Sequence, residues 1–352
     1  VDDAPGTGGW YAAAGMLAPV AEAAYGEEPL VELSRSSLAL YPSFVAELVE
    51  ASGRPVELRT AGTLLVGFDE DDVRELDRTH AFHLELGLDA TRLTPRTCRS
   101  QEPSLTPRLR GGVRVAGDHS VEPRGLHAAL LAAGAAAGVT VVQGRVGEVH
   151  VEQGRATGVR LEDGDVLPAA QVVLALGAWS GRLAGVPEGS VPVRPVKGQI
   201  LRLRGTPLLG GTVRALVRGR SVYLVPYGED GLVVGASVEE QGFDPRVTAG
   251  AVLDLLRDAT EVVPGLTELE LVETLARWRP GTPDNGPLLG PSSVPGLLLA
   301  TGHYRNGVLL APVTAAALAD VLTGGSLPEV AAPFVGDRFV RTGPGGRRRE
   351  GG

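Results

Sequence analysis

The sequence predicts an α/β chain whose second part is built on an antiparallel sheet. Three observations carry this. Leu297–Ala300 is a short apolar run bounded by glycine, followed by Gly302 and by Val308–Leu322, which is rich in Ala and Leu. That order reads as buried strand, tight turn and helix. Gln171–Leu176 is a second apolar strand that runs into a glycine, Gly177. Between them, Gln199–Arg204, Ser221–Tyr227 and Gly231–Ser237 read as antiparallel strands, with a helix over Thr248–Val263 and a strand over Leu271–Trp278. A length of 352 residues exceeds what one compact core usually organises, so two domains are expected.

Taken in order, Val1–Gly6 reads as a strand end and turn. Gly8–Met16 is rich in Gly and Ala. It is either a close-packed loop or backbone laid against a flat cofactor, and spacing alone prefers the loop. Leu38, Tyr41, Phe44, Val45, Leu48 and Val49 recur at helical spacing, which predicts a helix over Leu30–Ala51. Arg59–Phe68 contains Gly62–Gly67, which predicts a strand. Asp69–Leu86 predicts a helix whose first turn carries Glu70, Asp71 and Asp72. His80 and His83 share that helix at an i, i+3 spacing, but no third metal ligand is evident nearby, so packing or solvation is expected of them. Gly112–Val115 is a short strand, Leu126–Ala137 a helix ending at Gly138, and Val139–Gln143 a strand. Val146–Glu152, Ala156–Leu161 and Val166–Pro168 predict a meander. Gly343–Gly352, with Arg347-Arg348-Arg349, reads as a disordered, solvated end rather than a nucleic-acid arm.

The totals exclude several classes. A net charge of -9 argues against a general nucleic-acid binder. One cysteine, Cys98, rules out an internal disulfide or a thiolate metal cluster. It also points to a reducing, cytoplasmic setting. No apolar run approaches the roughly 20 residues of a membrane span, and no secretory signal stands at Val1-Asp2-Asp3. The six histidines are scattered without acidic partners, so no metal is expected.

Four blocks carry a family resemblance: Ala12–Leu17, Val196-Lys197-Gly198, Leu275–Thr282 and Gly302-His303-Tyr304-Arg305-Asn306-Gly307. In this order and spacing they resemble the glycine oxidases of thiamine biosynthesis, within the FAD-dependent D-amino-acid oxidase superfamily. The resemblance implies an FAD-binding Rossmann-like domain plus an antiparallel-sheet substrate domain. It assigns 1–52, 117–190 and 282–340 to the first, 53–116 and 191–281 to the second, and 341–352 to the tail. Such proteins open with a strand, a G-x-G-x-x-G turn and a helix that hold the FAD pyrophosphate. That fingerprint is absent from these residues. Asp2 (or Asp3) stands about where the family places its acidic ribose contact. The sequence therefore reads as starting one βα unit late, by about 30 residues, without the helix terminus that neutralises the pyrophosphate.

The implied site follows residue by residue. A carboxylate suits the planar fork of arginine, and Arg279 matches the family's carboxylate partner. Tyr223 matches its second hydrogen-bond donor, and Arg305 ranks behind these two. His303, Tyr304, Arg305, Asn306, Gly307, Val308 and Leu309 match the segment that covers the isoalloxazine. Ala14, Gly15 and Met16 match the opposite side of the ring, and Val146 the adenine end. No side chain stands out as a general base, which agrees with hydride transfer. The resemblance implies oxidation of glycine by O2, giving H2O2, an imine, then glyoxylate and ammonia. A D-amino-acid or sarcosine oxidase or dehydrogenase, and an FAD-free inactive fragment, remain as alternatives. Family resemblance also suggests a homotetramer.

Overall fold

The computed structural model describes residues 1–340. The arginine-bearing tail, 341–352, lies outside the described residues. An eight-stranded sheet dominates. Its order across the sheet is Glu270–Gly281, Arg194–Arg204, Gly231–Gly235, Arg220–Tyr227, Thr212–Val217, Thr63–Gly67, Gly111–Val115 and Thr91–Leu93. Every pairing is antiparallel except one: Thr212–Val217 runs parallel to Thr63–Gly67. The sheet is therefore mixed, and of the two strands in that parallel pair only Thr212–Val217 was not anticipated from the sequence. The strand expected over Gly62–Gly67 forms as Thr63–Gly67, and Gly62, at φ +74°, turns the chain between it and Leu58–Arg59, which lies in a different sheet.

Alternation gives the large sheet two faces. One packs on the helix Ala249–Val262. Leu201, Leu203, Leu224 and Val234 meet Leu255, Ala259 and Val262 there, all buried. The other face carries Ile200, Val225, Val233 and Leu275, and the segment Ala12–Met16 lies against it. Asp118 fixes the continuation of that segment. Its carboxylate accepts from the amides of Val20 (3.3 Å) and Ala21 (3.0 Å).

A smaller three-stranded sheet holds the parallel pair Val172–Leu174 and Leu297–Thr301, with Leu288–Pro291 antiparallel on the far side of the latter. Leu288, Leu297 and Leu299 are wholly buried in it. The meander Val146–Glu152, Arg155–Leu161, Val166–Pro168 forms as predicted. The long helix Glu28–Ser52 packs on Pro123–Ala136 and on Ala311–Leu322. Glu70–Glu85 is capped by Asp69, with Asp72 answering as the capping box. No helix among the described residues is long and apolar enough to cross a membrane.

Two expectations need correction. Val139–Gln143 is not a strand: only Asp2 pairs with it, and Val139 and Val141 are exposed. The last helix starts at Ala311, not at Val308, because residues 303–310 form turns and Pro312 sits in the first helical turn, where a missing N–H costs nothing. The helix Pro95–Gln101 and the strand Leu288–Pro291 were not anticipated.

Candidate active site

The strand Glu270–Gly281 is the edge of the large sheet, and its register settles which side chains share a face. Arg279 pairs with Val196, Leu275 with Ile200, Ile200 with Gly235, and Gly235 with Tyr223. Val196, Gly198 and Ile200 alternate onto one face. Arg279 and Tyr223 therefore project from the same face, the one against which Ala12 and Ala14 pack.

Two glycines let these long side chains lie flat on the sheet. A Cβ at Gly198 would overlap the Arg279 guanidinium, and a Cβ at Gly235 would overlap the Tyr223 ring and hydroxyl. Arg279 Nη1 donates to the carbonyls of Ser237 (3.1 Å) and Lys197 (3.4 Å), which aim the fork along the sheet. Burial pushes the Tyr223 pKa up, more than the neighbouring Arg279 charge pulls it down, so the phenol stays protonated and able to donate. In the sequence, Gly198 stood out only within a resemblance block and Gly235 was not singled out, so the role of both glycines was missed. A glycine inside a strand is the signal that finds them, since it marks close approach of another group.

The turn after Leu297–Thr301 is held from three sides. Gly302 adopts φ +75°. The Tyr304 amide donates to the Pro280 carbonyl at 2.9 Å, next to Arg279. His303 Nε2 lies 3.0 Å from Thr314 Oγ1 in the following helix. Burial pushes the His303 pKa down to about 4, which keeps the ring neutral. From the long helix, Tyr41 donates to the Val308 carbonyl and Ser37 Oγ to the Leu309 carbonyl (2.6 Å). Nothing in the sequence singled out Ser37 or Tyr41 for this bracing role. Asn306 is buried, and its carbonyl accepts from the Leu310 amide.

The turn thereby presents open donors. Among the described residues, the amides of Arg305, Gly307, Val308 and Leu309 have no hydrogen-bond partner, and neither have those of Ala14 and Gly15. Arg305 and Gly307 are exposed, but Val308, Leu309, Ala14 and Gly15 are half-buried or buried, where amides are normally paired. Two sets of unpaired N–H groups, on the turn and at Ala14-Gly15, fit the polar edge of a flavin ring.

The remaining candidates lie apart from Arg279 and Tyr223. Arg305 is exposed and turned to Glu27 Oε2 and the Glu22 carbonyl, both at 3.4 Å. Asp2 bridges Gln143, its carboxylate accepting from the Ala4 amide at 2.9 Å. Val146 opens the meander beside Arg145, whose guanidinium pairs with Asp3 at 2.7 Å, so Asp2 and Val146 share one neighbourhood. His80 faces the Ala90 carbonyl, and His83 is buried with neither ring nitrogen hydrogen-bonded among the described residues.

Fold and site together define an oxidoreductase class: an α/β chain in which a loop and a glycine turn, both with free amides, flank the face of a large sheet. The chain belongs to the FAD dependent oxidoreductase (DAO) family, whose profile matches residues 1–321, and FAD is its cofactor. It is 35% identical over 339 residues to a glycine oxidase of Geobacillus kaustophilus, covering 95% of this chain and 88% of that protein. The crystal structure of glycine oxidase from Geobacillus kaustophilus superposes with a TM-score of 0.88 at 33% identity, over 97% of this chain and 91% of that one. The bifunctional protein ThiO/ThiG of a Nostoc species is 34% identical over 89% of this chain and 47% of its own length. The hydrogen cyanide synthase subunit HcnC of Pseudomonas aeruginosa is 32% identical, over 88% and 74%.

Proposed function

We propose that this chain is a glycine oxidase, converting glycine and O2 to an imine and H2O2, the imine serving thiazole synthesis for thiamine or hydrolysing to glyoxylate and ammonia. The observation that carries the reading is the convergence of Arg279 and Tyr223 on the sheet face covered by Ala12–Met16. Bound FAD supplies the chemistry of the acceptor, taking a hydride equivalent and passing electrons to O2.

In this reading Arg279 takes the substrate carboxylate through its fork, and Tyr223 donates to the same group from the side. Together they fix the Cα–H direction, which is the orientation term of catalysis. The amides of Gly307, Val308 and Leu309 would hold the pyrimidine side of FAD and stabilise negative charge developing there. Ala14, Gly15 and Met16 would hold the other side. Asp2 and Val146 would take the adenosine end. Arg305, through Glu27, would hold the turn rather than the substrate. The similarity to glycine oxidases supports glycine, and the likeness to ThiO/ThiG supports the thiamine role.

The test is H2O2 release by the FAD-loaded enzyme from glycine, sarcosine and D-alanine. Glycine is expected to give the highest kcat/KM. A clear preference for sarcosine or D-alanine would move the assignment to those oxidases. A protein that takes up no FAD and releases no H2O2 would overturn it.

A further inference from the structure

We infer that Lys197 is a positioning residue: it sets the direction of Arg279 through a polar network buried behind the sheet. The inference rests on the proposed role of Arg279 as carboxylate partner.

Lys197 is the single lysine among 33 basic residues. It is also wholly buried. Its Nζ lies 3.1 Å from Asp244 Oδ2 and 3.6 Å from Glu239 Oε2. A compact ammonium on a thin stem fits between two carboxylates where a planar guanidinium does not. Its side chain leaves the sheet on the face opposite Arg279, since the two belong to adjacent rungs of the ladder.

The network reaches Arg279 through the backbone. Lys197 and Glu239 exchange both amide–carbonyl bonds, each at 2.9 Å. Glu239 Oε1 accepts from Gln199 Nε2 at 2.7 Å and from the Ser237 hydroxyl. That hydroxyl accepts from the Gln199 amide at 2.9 Å, and the Ser237 amide donates to the Gln199 carbonyl at 3.2 Å. Gln199 Oε1 accepts from the Thr248 amide at 2.8 Å, which closes the loop 237–248 against the strand. The two carbonyls that aim Arg279, of Ser237 and Lys197, are thus both members of the network. Asp244 keeps Arg246 as a partner at 2.8 Å, so loss of the ammonium leaves Glu239 as the carboxylate without a cation; the loop 237–239 then loosens from the ladder, and the Ser237 carbonyl no longer stands under the guanidinium.

The experiment compares the FAD-loaded wild type with Lys197→Met and Glu239→Gln. Two quantities are read: the Kd of glycolate, a non-reacting carboxylate, by calorimetry, and KM and kcat for glycine. Lys197→Met is expected to raise both Kd and KM about tenfold or more, with kcat within about threefold. Glu239→Gln keeps the shape of the side chain and serves where Lys197→Met does not fold. It is expected to raise Kd and KM about threefold or more, with an unchanged Tm. A residue that merely stabilises the fold would lower Tm and leave Kd and the KM-to-kcat split untouched. Folded variants with wild-type glycolate Kd and glycine KM would overturn the inference. A wild type that oxidises no glycine and binds no glycolate would overturn the carboxylate reading of Arg279 itself, and this inference with it.

Discussion

The Tyr304 amide donates a 2.9 Å hydrogen bond to the Pro280 carbonyl. This bond joins two stretches that meet only in the fold, the glycine turn after Leu297–Thr301 and the edge strand that carries Arg279. It fixes the distance between the open amides of the turn and the guanidinium. In the proposed reading, these are the groups that hold cofactor and substrate. A hydride donor and acceptor need such fixed spacing, because small displacements at the reacting atoms carry large rate penalties. Tyr304 adopts φ +48° to make the bond, a conformation that a non-glycine residue takes at a cost of roughly 1 kcal/mol or more.

Replacing Arg279 tests the carboxylate partner directly. Arg279→Ala removes two charge-assisted donors, each contributing about 1.5–3 kcal/mol. KM for glycine is expected to rise by roughly two to four orders of magnitude. Arg279→Lys keeps the charge and loses the fork, so it should fall between. Steady-state kinetics decide this, and wild-type KM in Arg279→Ala would remove Arg279 from the site.

Two glycine substitutions should separate function from folding. Gly198 has no positive φ, and an added Cβ there meets the mobile end of Arg279. Gly198→Ala is therefore expected to keep its Tm within a few degrees while KM for glycine rises about tenfold or more. Gly15 has φ +77°, and an added Cβ there overlaps the Val121 carbonyl. Gly15→Ala is expected to lose more than about 2 kcal/mol of stability, since neither backbone can yield cheaply. Thermal melts and glycine kinetics on both variants provide the comparison. A Gly198→Ala enzyme that melts early with normal KM would reverse the roles assigned here.

The periodicity of Leu38–Val49, the acidic first turn of Glu70–Glu85 and the apolar run Leu297–Leu299 were legible because each rests on local chemistry. The strand Thr212–Val217 was not. It takes its place through a parallel pairing with Thr63–Gly67, a contact nearly 150 residues away in the sequence. Val139–Gln143 failed for the converse reason, since β-branched composition makes no strand without a partner ladder. At the site, Arg279 and Tyr223 entered through motif resemblance. Gly198 and Gly235 carry no side chain to read, and their meaning appears only when the neighbouring side chain lies across them.

Ser37 braces the turn from inside the long helix. Its hydroxyl donates to the Leu309 carbonyl at 2.6 Å and accepts from the Val313 amide at 3.3 Å, both in buried surroundings. Ser37→Ala leaves a buried acceptor and a buried donor without partners, a cost of about 1–3 kcal/mol for each. The expected result is a lower Tm together with a higher Kd for FAD, because the open amides of Gly307–Leu309 belong to the same turn. Chemical denaturation with and without added FAD measures both. An unchanged FAD affinity in a destabilised variant would show that the brace serves the fold alone.

His303 gives the site a definite response to acid. Burial holds its imidazole neutral, with a pKa pushed down to about 4 from 6.5 in the unfolded chain. Between those values the unfolded chain binds a proton that the native chain refuses, so stability rises with pH across the window. The contribution is complete above about pH 6.5 and is lost as pH falls toward 4. Protonation would place an uncompensated charge beside Thr314 and loosen the turn whose amides, in the proposed reading, hold the flavin. His303→Asn keeps a hydrogen-bonding group for Thr314 Oγ1 and does not titrate. The wild-type Tm is expected to fall more steeply than that of the variant between pH 6.5 and 4, with FAD release following the same limb. Parallel melts in that window, monitored by flavin fluorescence, make the measurement. Superimposable slopes would show that the acid sensitivity arises elsewhere.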